Sequence, residues 1–209
     1  MDVISNFVVF EGGDGSGTTT QLSILSDRLK TLDNFPFFAT FEPTRGEIGK
    51  IIRSALKKEA VLKPNTLALL FAADRNEHLE AKDGIIDRVK RGELVISDRF
   101  TLSSLVYQGI ECGDELPLFI NSLFPAPEVT IFLDIDPQIA MERMKNRPSY
   151  EIYEYSEFQE KVRNKYKSLI RIYREQGARV EILDASLSPQ EIADQVWSII
   201  SGLPIFKKK

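Results

Sequence analysis

The chain has 209 residues, 43% hydrophobic and 28% charged, which is enough to bury one substantial core and fits a single domain over 1–209. A net charge of −4 gives no global attraction for nucleic acid or for an anionic membrane, so any anion site has to be local. No segment reaches the ~18 apolar residues of a membrane span, no export signal opens the sequence, and the single cysteine, Cys112, cannot form an intramolecular disulfide; a reducing cytoplasm is the expected location.

The apolar run Phe7 to Phe10 predicts a first strand, and Leu22, Leu25, Leu29 and Leu32 predict a helix over about 19–31. Between them lies Gly12-Gly13-Asp14-Gly15-Ser16-Gly17-Thr18-Thr19. A glycine-rich turn from a strand into a helix suits a polyphosphate, because glycine lets the backbone approach closely and the helix end adds free N–H groups and a positive dipole. The Walker A pattern G-x-x-x-x-G-K-S/T is met at Gly12, Gly17 and Thr19, with Thr18 in the place of the lysine.

Strands follow at Phe37 to Phe41, Leu94 to Ile96, Val129 to Leu133 and Val180 to Leu183. Helices are predicted at about 47–57, 65–90 with a break near Gly84, 102–109, 115–124, 137–146, 156–176 and 189–201. Asp136-Pro137 and Ser188-Pro189-Gln190-Glu191 read as helix starts. Val129-Thr130-Ile131-Phe132-Leu133 is apolar or β-branched throughout, as in a strand covered on both faces. The alternation predicts an α/β protein, a five-stranded parallel sheet flanked by helices in three layers. The polar, tyrosine-rich stretch over 146–155 is expected to be a short lid.

Ligands of such sheets bind beyond the carboxyl ends of the strands, so Ser97-Asp98-Arg99-Phe100, after the third strand, belongs next to the glycine loop. Asp98 is a candidate magnesium carboxylate alongside Thr19, and Arg99 a candidate phosphoryl ligand. Phe71 and Arg75, four apart on a helix, could stack on a base and bond its edge. His78, beside Glu77 and Glu80, reads as a surface residue.

Taken in order, Phe-Glu-Gly-x-Asp-Gly-x-Gly, Leu-Phe-Ala-Ala-Asp-Arg and Asp98-Arg99-Phe100-Thr101-Leu102-Ser103-Ser104-Leu105-Val106-Tyr107-Gln108-Gly109 resemble the thymidylate kinases. The last stretch is similar to that family's D-R-Y/F-x-x-S-x-x-A-Y-Q-G, with Val106 for alanine. The resemblance implies a P-loop kinase fold, ATP with magnesium as phosphoryl donor, dTMP as acceptor, no nucleic-acid or membrane partner, and a homodimer. It places the ATP phosphates on Gly12, Gly13, Asp14, Gly15, Ser16, Gly17, Thr18 and Thr19. It sets Asp14 and Glu42 by the sugar 3′-hydroxyl, Phe71 on thymine, and Arg75, Ser104 and Gln108 on the polar edge of the base. Tyr107 lies under the sugar, Arg53 and Arg99 hold the monophosphate, and Asp184-Ala185-Ser186 borders the adenine.

Three departures stand out: Thr18 for the loop lysine, Phe41 and Thr44-Arg45-Gly46 around Glu42-Pro43, and Asn146-Arg147-Pro148-Ser149 in the lid. Arg147 is the candidate to act in cis on the transferred phosphoryl group, and Arg45 brings a new charge near the phosphates. Three functions fit these residues: a dTMP kinase, a kinase for another deoxynucleoside monophosphate, or a nucleotide-binding homologue impaired in transfer. The acceptor residues favour the first and Thr18 favours the last.

Overall fold

The computed structural model describes residues 2–144 and 152–207, so Arg147 and the expected lid up to residue 151 lie outside the described residues. Strands and helices alternate as β1 (Val3–Gly12), α1 (Thr18–Lys30), β2 (Phe37–Phe41), α2 (Glu47–Leu56), α3 (Pro64–Glu80), α4 (Ile85–Lys90), β3 (Leu94–Asp98), α5 (Thr101–Cys112), α6 (Glu115–Asn121), β4 (Ala126–Asp134), α7 (Pro137–Met144), α8 (Ile152–Glu175), β5 (Val180–Asp184) and α9 (Pro189–Ser201). All strand pairs are parallel, in the order β2-β3-β1-β4-β5. Parallel neighbours need crossover connections, and the helices supply them on both faces of the sheet.

Strand alternation decides which face each side chain joins. Val8 and Phe10 of β1, with Ile96 of β3 and Ile131 and Leu133 of β4, pack against Leu25 and Leu29 of α1 and Ile192 and Val196 of α9. Phe7 and Val9 point the other way, to Leu79 of α3 and Ile85 of α4. On that same face Phe132 meets Leu102 and Val106 of α5 and Val162 and Tyr166 of α8. Glu11 follows Phe7 and Val9 in the alternation, and is paired with Phe132, so its carboxylate is driven into the layer formed by α5 and α8.

Boundaries shift where local geometry overrides the pattern. β1 starts at Val3 rather than Phe7: its register slips between Ile4 and Val8, with Asn6 at φ 60, so polar Ser5 and Asn6 sit within a strand. The predicted break near Gly84 separates α3 from α4; a Cβ there would lie 2.7 to 3.0 Å from the carbonyl oxygens of Ala81, His78 and Leu79. α8 already begins at Ile152. Ser188 and Glu191 form a capping box on α9, as their spacing predicts. Among the described residues no helix is long and apolar enough to cross a membrane.

β1 lies at the centre of the sheet, with β3 on one side and β4 on the other. The connection leaving β1 runs toward β2, while that leaving its neighbour β4 runs the opposite way to β5; the two diverge and open a crevice at the loop leading into α1.

Candidate active site

Residues Gly13 to Gln21 line a cavity of about 530 Å³, closed by Asp98 and Arg99 on one side and by Arg143, Met144, Leu187, Pro189 and Ile192 on the other. Gly15 (φ 79) and Gly17 (φ 96) occupy the left-handed region that a side chain disfavours. A Cβ on Gly12 would lie 2.4 Å from Ser16 Oγ. Gly17 caps α1 without a side-chain hydrogen bond, so the first N–H groups of the helix open on the cavity that Gly17 to Thr20 line. Among the described residues the cations in this lining are Arg99 and Arg143. Arg143 also reaches the carbonyl of Ser186 at 3.5 Å. Arg45 is exposed, lies 5.4 Å from the Phe41 ring centroid, and is not part of the lining.

β3 ends at Asp98, and Thr19 Oγ1 donates to Asp98 Oδ2 at 2.6 Å. Asp98 Oδ1 is buried and has no partner among the described residues. The chain then turns through Arg99 at φ 73, a conformation costing a bulky residue roughly 1 kcal/mol or more. The Arg99 N–H compensates by donating to the Phe10 carbonyl at 2.8 Å. Its guanidinium donates to Asp14 Oδ1 at 2.9 Å, the Gly12 carbonyl at 3.1 Å and Ser103 Oγ at 3.2 Å. Burial works against the charge of Arg99, but Tyr107, Asp14, Tyr166 and Asp98 around it outweigh that and hold its pKa well above the ordinary value. Tyr107 donates to the same Asp14 Oδ1 at 3.2 Å, and burial pushes its phenol upward, so it serves as a neutral donor.

Beneath Arg99 sits Glu11, 1% exposed. Its carboxylate accepts from the N–H groups of Phe100 (3.0 Å) and Ser103 (3.2 Å), from Ser103 Oγ, and from Tyr166 at 3.0 Å. Burial raises its pKa despite those donors and the nearby Arg99 charge. The backbone bonds hold the turn that aims Arg99 at the loop.

A second polar cluster lies toward α3. Arg75 is 1% exposed and donates to Glu42 Oε2 at 2.7 Å, Ser104 Oγ at 3.0 Å, the Phe100 carbonyl at 3.1 Å and Asn121 Oδ1. Glu42 Oε1 meets His78 Nδ1 at 3.2 Å, and His78 Nε2 meets Thr40 Oγ1 at 2.8 Å. The surface reading of His78 is thus overturned: its side chain is 8% exposed and bridges β2 to Glu42. Thr44 donates its N–H and its hydroxyl to the buried Asp74 carboxylate, both at 2.6 Å. Arg53 donates to the carbonyls of Pro43 (3.0 Å) and Thr44. Phe71 is half-buried on α3, and Gln108 is buried on α5 with Oε1 unpartnered among the described residues.

Asp14, Arg99 and Tyr107 thus form one group, Thr19 and Asp98 a second, and Glu42, Arg75 and Ser104 a third joined to Arg99 through the short Phe100 turn. The sequence model of the family described as thymidylate kinase matches residues 10–196. The chain belongs to the thymidylate kinase family. It is 42% identical over 185 residues to a protein provisionally named thymidylate kinase from Treponema pallidum, covering 88% of each chain. Provisionally named thymidylate kinases of Pyrobaculum aerophilum (41% over 202 residues, 96% of this chain and 99% of the relative) and Methanococcus aeolicus (37% over 197 residues, 92% and 94%) are similar along nearly their whole length.

In this thymidylate kinase family member, sequence reasoning missed Glu11, Asp74, Asn121, Gln159 and Tyr166. Glu11 had a signal, a carboxylate directly after the apolar run Phe7 to Phe10, which has to be paired when buried. Gln159 had none, since it meets Asp14 from 145 residues away.

Proposed function

We propose that the protein transfers the terminal phosphoryl group of Mg-ATP to dTMP, giving dTDP for dTTP synthesis. The observation that carries this reading is Arg99, which lines the phosphate cavity while its guanidinium holds Asp14, beside Tyr107, at the border with the polar cluster of α3 and α5. A cation at that border can bind phosphate oxygens of both substrates and hold them for in-line transfer, which needs positioning and charge stabilisation more than covalent chemistry.

In this reading the ATP phosphates rest on the backbone and side chains of Gly12 to Thr19. Thr19 and Asp98 fit a magnesium ion: they offer hard oxygen atoms, and Asp98 Oδ1, although buried, has no partner among the described residues. Bound there, magnesium would neutralise charge on the donor phosphates. Arg99 and Arg143 supply the charge that a loop lysine would bring, with Arg147 as a third candidate.

On the acceptor side, Asp14 takes the sugar 3′-hydroxyl, Tyr107 lies under the sugar, and Arg53 joins Arg99 on the monophosphate. Phe71 stacks on the base, and Glu42, expected by the 3′-hydroxyl, instead holds Arg75, because its two oxygens are taken by Arg75 and His78. Among the described residues, the buried atoms without a partner here are Arg75 Nε, a donor, and Gln108 Oε1, an acceptor. With Arg75, Ser104 and Gln108 on the polar edge of the base, an acceptor at Gln108 Oε1 suits the N–H that thymine carries beside its carbonyl and mismatches cytosine, which has a lone pair there. A homodimer in a reducing cytoplasm completes the proposal, with the exposed Phe119 and Leu123 at the end of α6 as a surface the second copy would cover.

The test is to incubate the protein with Mg-ATP and dTMP, dUMP, dCMP or dGMP in turn and separate the nucleotides by chromatography. Formation of dTDP, with dCMP unphosphorylated, is expected. Phosphorylation of dCMP in preference to dTMP, or no diphosphate from any acceptor, would overturn the reading.

A further inference from the structure

Asp14 receives more support than its place in the glycine loop requires. Its Oδ1 accepts from Arg99 at 2.9 Å and from Tyr107 at 3.2 Å. Its Oδ2 accepts from Gln159 Nε2 at 3.1 Å. A carboxylate accepts about four hydrogen bonds, two per oxygen. Among the described residues these three donors fill all but one position, which is on Oδ2. The Asp14 side chain is 39% exposed, so that position can be reached from the site.

Gln159 is the residue that decides which way this last position points. It is 3% exposed, and its amide oxygen lies 3.0 Å from where a Cβ on Gly13 would stand, so the amide rests on the loop backbone. Because the carboxylate can only accept, the amide nitrogen has to be the atom that faces it. The rest of the same stripe of α8 is fixed as firmly. Arg163 (i+4) bonds Asp134 at the end of β4 at 2.6 Å, and Tyr166 (i+7) bonds Glu11 at 3.0 Å. One helix face thus grips the carboxyl ends of β1 and β4 at three acidic residues. A neutral donor at 159 also leaves the charge of Asp14 balanced by Arg99, where a lysine would compete with Arg99 for it.

We infer that Gln159 is a positioning residue for the acceptor nucleotide: it orients the Asp14 carboxylate so that the open position on Oδ2 meets the sugar 3′-hydroxyl. The inference rests on the proposed role of Asp14 in dTMP binding. Gln159 itself touches neither substrate and acts through Asp14.

The experiment compares dTMP with 3′-deoxy-dTMP as acceptors for the native chain, Gln159→Met and Asp14→Ala, measuring KM for each acceptor and for Mg-ATP. Losing one hydrogen bond to a charged group predicts that Gln159→Met raises KM for dTMP about tenfold. KM for 3′-deoxy-dTMP and for Mg-ATP should stay within about twofold, a split that general loosening of the fold would not produce. Gln159→Leu, with a different apolar shape, repeats the test if Gln159→Met folds poorly. An equal rise for both acceptors, or no rise for dTMP, would overturn the proposal. Asp14→Ala separates the two levels: if it abolishes the preference for the 3′-hydroxyl while Gln159→Met leaves that preference intact, the assignment of Gln159 alone is wrong. If Asp14→Ala keeps the preference, the role of Asp14 is wrong and the inference falls with it.

Discussion

Replacing Arg75 by methionine keeps an unbranched apolar stem, though a shorter one, and removes the charge and the donors. Glu42, whose side chain is 3% exposed, would lose its 2.7 Å partner and keep His78 at 3.2 Å. The Phe100 carbonyl, Ser104 Oγ and Asn121 Oδ1 would lose a donor at the same time. Removing one partner of a buried ion pair costs about 3–5 kcal/mol, mainly because the other charge remains buried. At roughly 2–4 °C per kcal/mol for a domain of this size, Tm should fall by about 6–20 °C. Thermal and urea unfolding of Arg75→Met, Glu42→Gln and the double variant at neutral pH would measure this. The double variant should be more stable than Arg75→Met, because the uncompensated carboxylate is gone. A loss below about 1 kcal/mol, or two substitutions that simply add, would show that Arg75 does not neutralise Glu42 in the folded protein.

Asp134 is held below the usual carboxylate range: burial raises its pKa, but the hydrogen bonds and charges of Arg163 and Lys167 outweigh that. The native state therefore binds fewer protons than the unfolded chain in that window, so this stabilisation is present above about pH 4 and is lost as the pH falls through the depressed value. Asp134→Asn should cost about 0.5–1 kcal/mol at pH 7, discounted because Arg163 and Lys167 are partly exposed, and the gap in unfolding free energy should close in acid. Gly84→Ala should destabilise the protein by roughly 1–3 kcal/mol in urea unfolding, since its Cβ would press on three carbonyl oxygens at 2.7 to 3.0 Å. Asp98→Asn should raise the magnesium concentration needed for half-maximal turnover about tenfold or more, read from a magnesium titration of ADP release at saturating ATP.

The sheet was legible because the central runs of β1 and β4, Phe7 to Phe10 and Val129 to Leu133, are apolar or β-branched on both faces, leaving little room for another assignment. The start of β1 was not, since nothing in Ser5-Asn6 announces that the strand continues through a bulge. Within the site, the meeting of Gly12 to Thr19 with Asp98-Arg99 could be read because each segment follows the carboxyl end of a strand. The residues that hold them could not. His78 finds Thr40 and Glu42 at separations of 38 and 36 residues, and no local pattern distinguishes that from a solvated histidine. Arg75 was assigned to the base on its helical spacing from Phe71, yet its bonds to Glu42, Phe100, Ser104 and Asn121 emerge only once α3, α5 and α6 pack together. Arg45 illustrates the opposite case: closeness in sequence to Glu42-Pro43 suggested the phosphates, and the side chain lies over Phe41 instead.

The most direct test is ADP release from Mg-ATP with and without dTMP, run on the native chain beside Arg99→Ala and Thr18→Lys. Release by the native chain should require dTMP and fall about 10²- to 10³-fold in Arg99→Ala, as when a charge-stabilising donor is removed from the reacting phosphates. No dTMP-dependent release from the native chain, with release appearing in Thr18→Lys, would contradict phosphoryl transfer by this protein and leave it a nucleotide-binding member of its family.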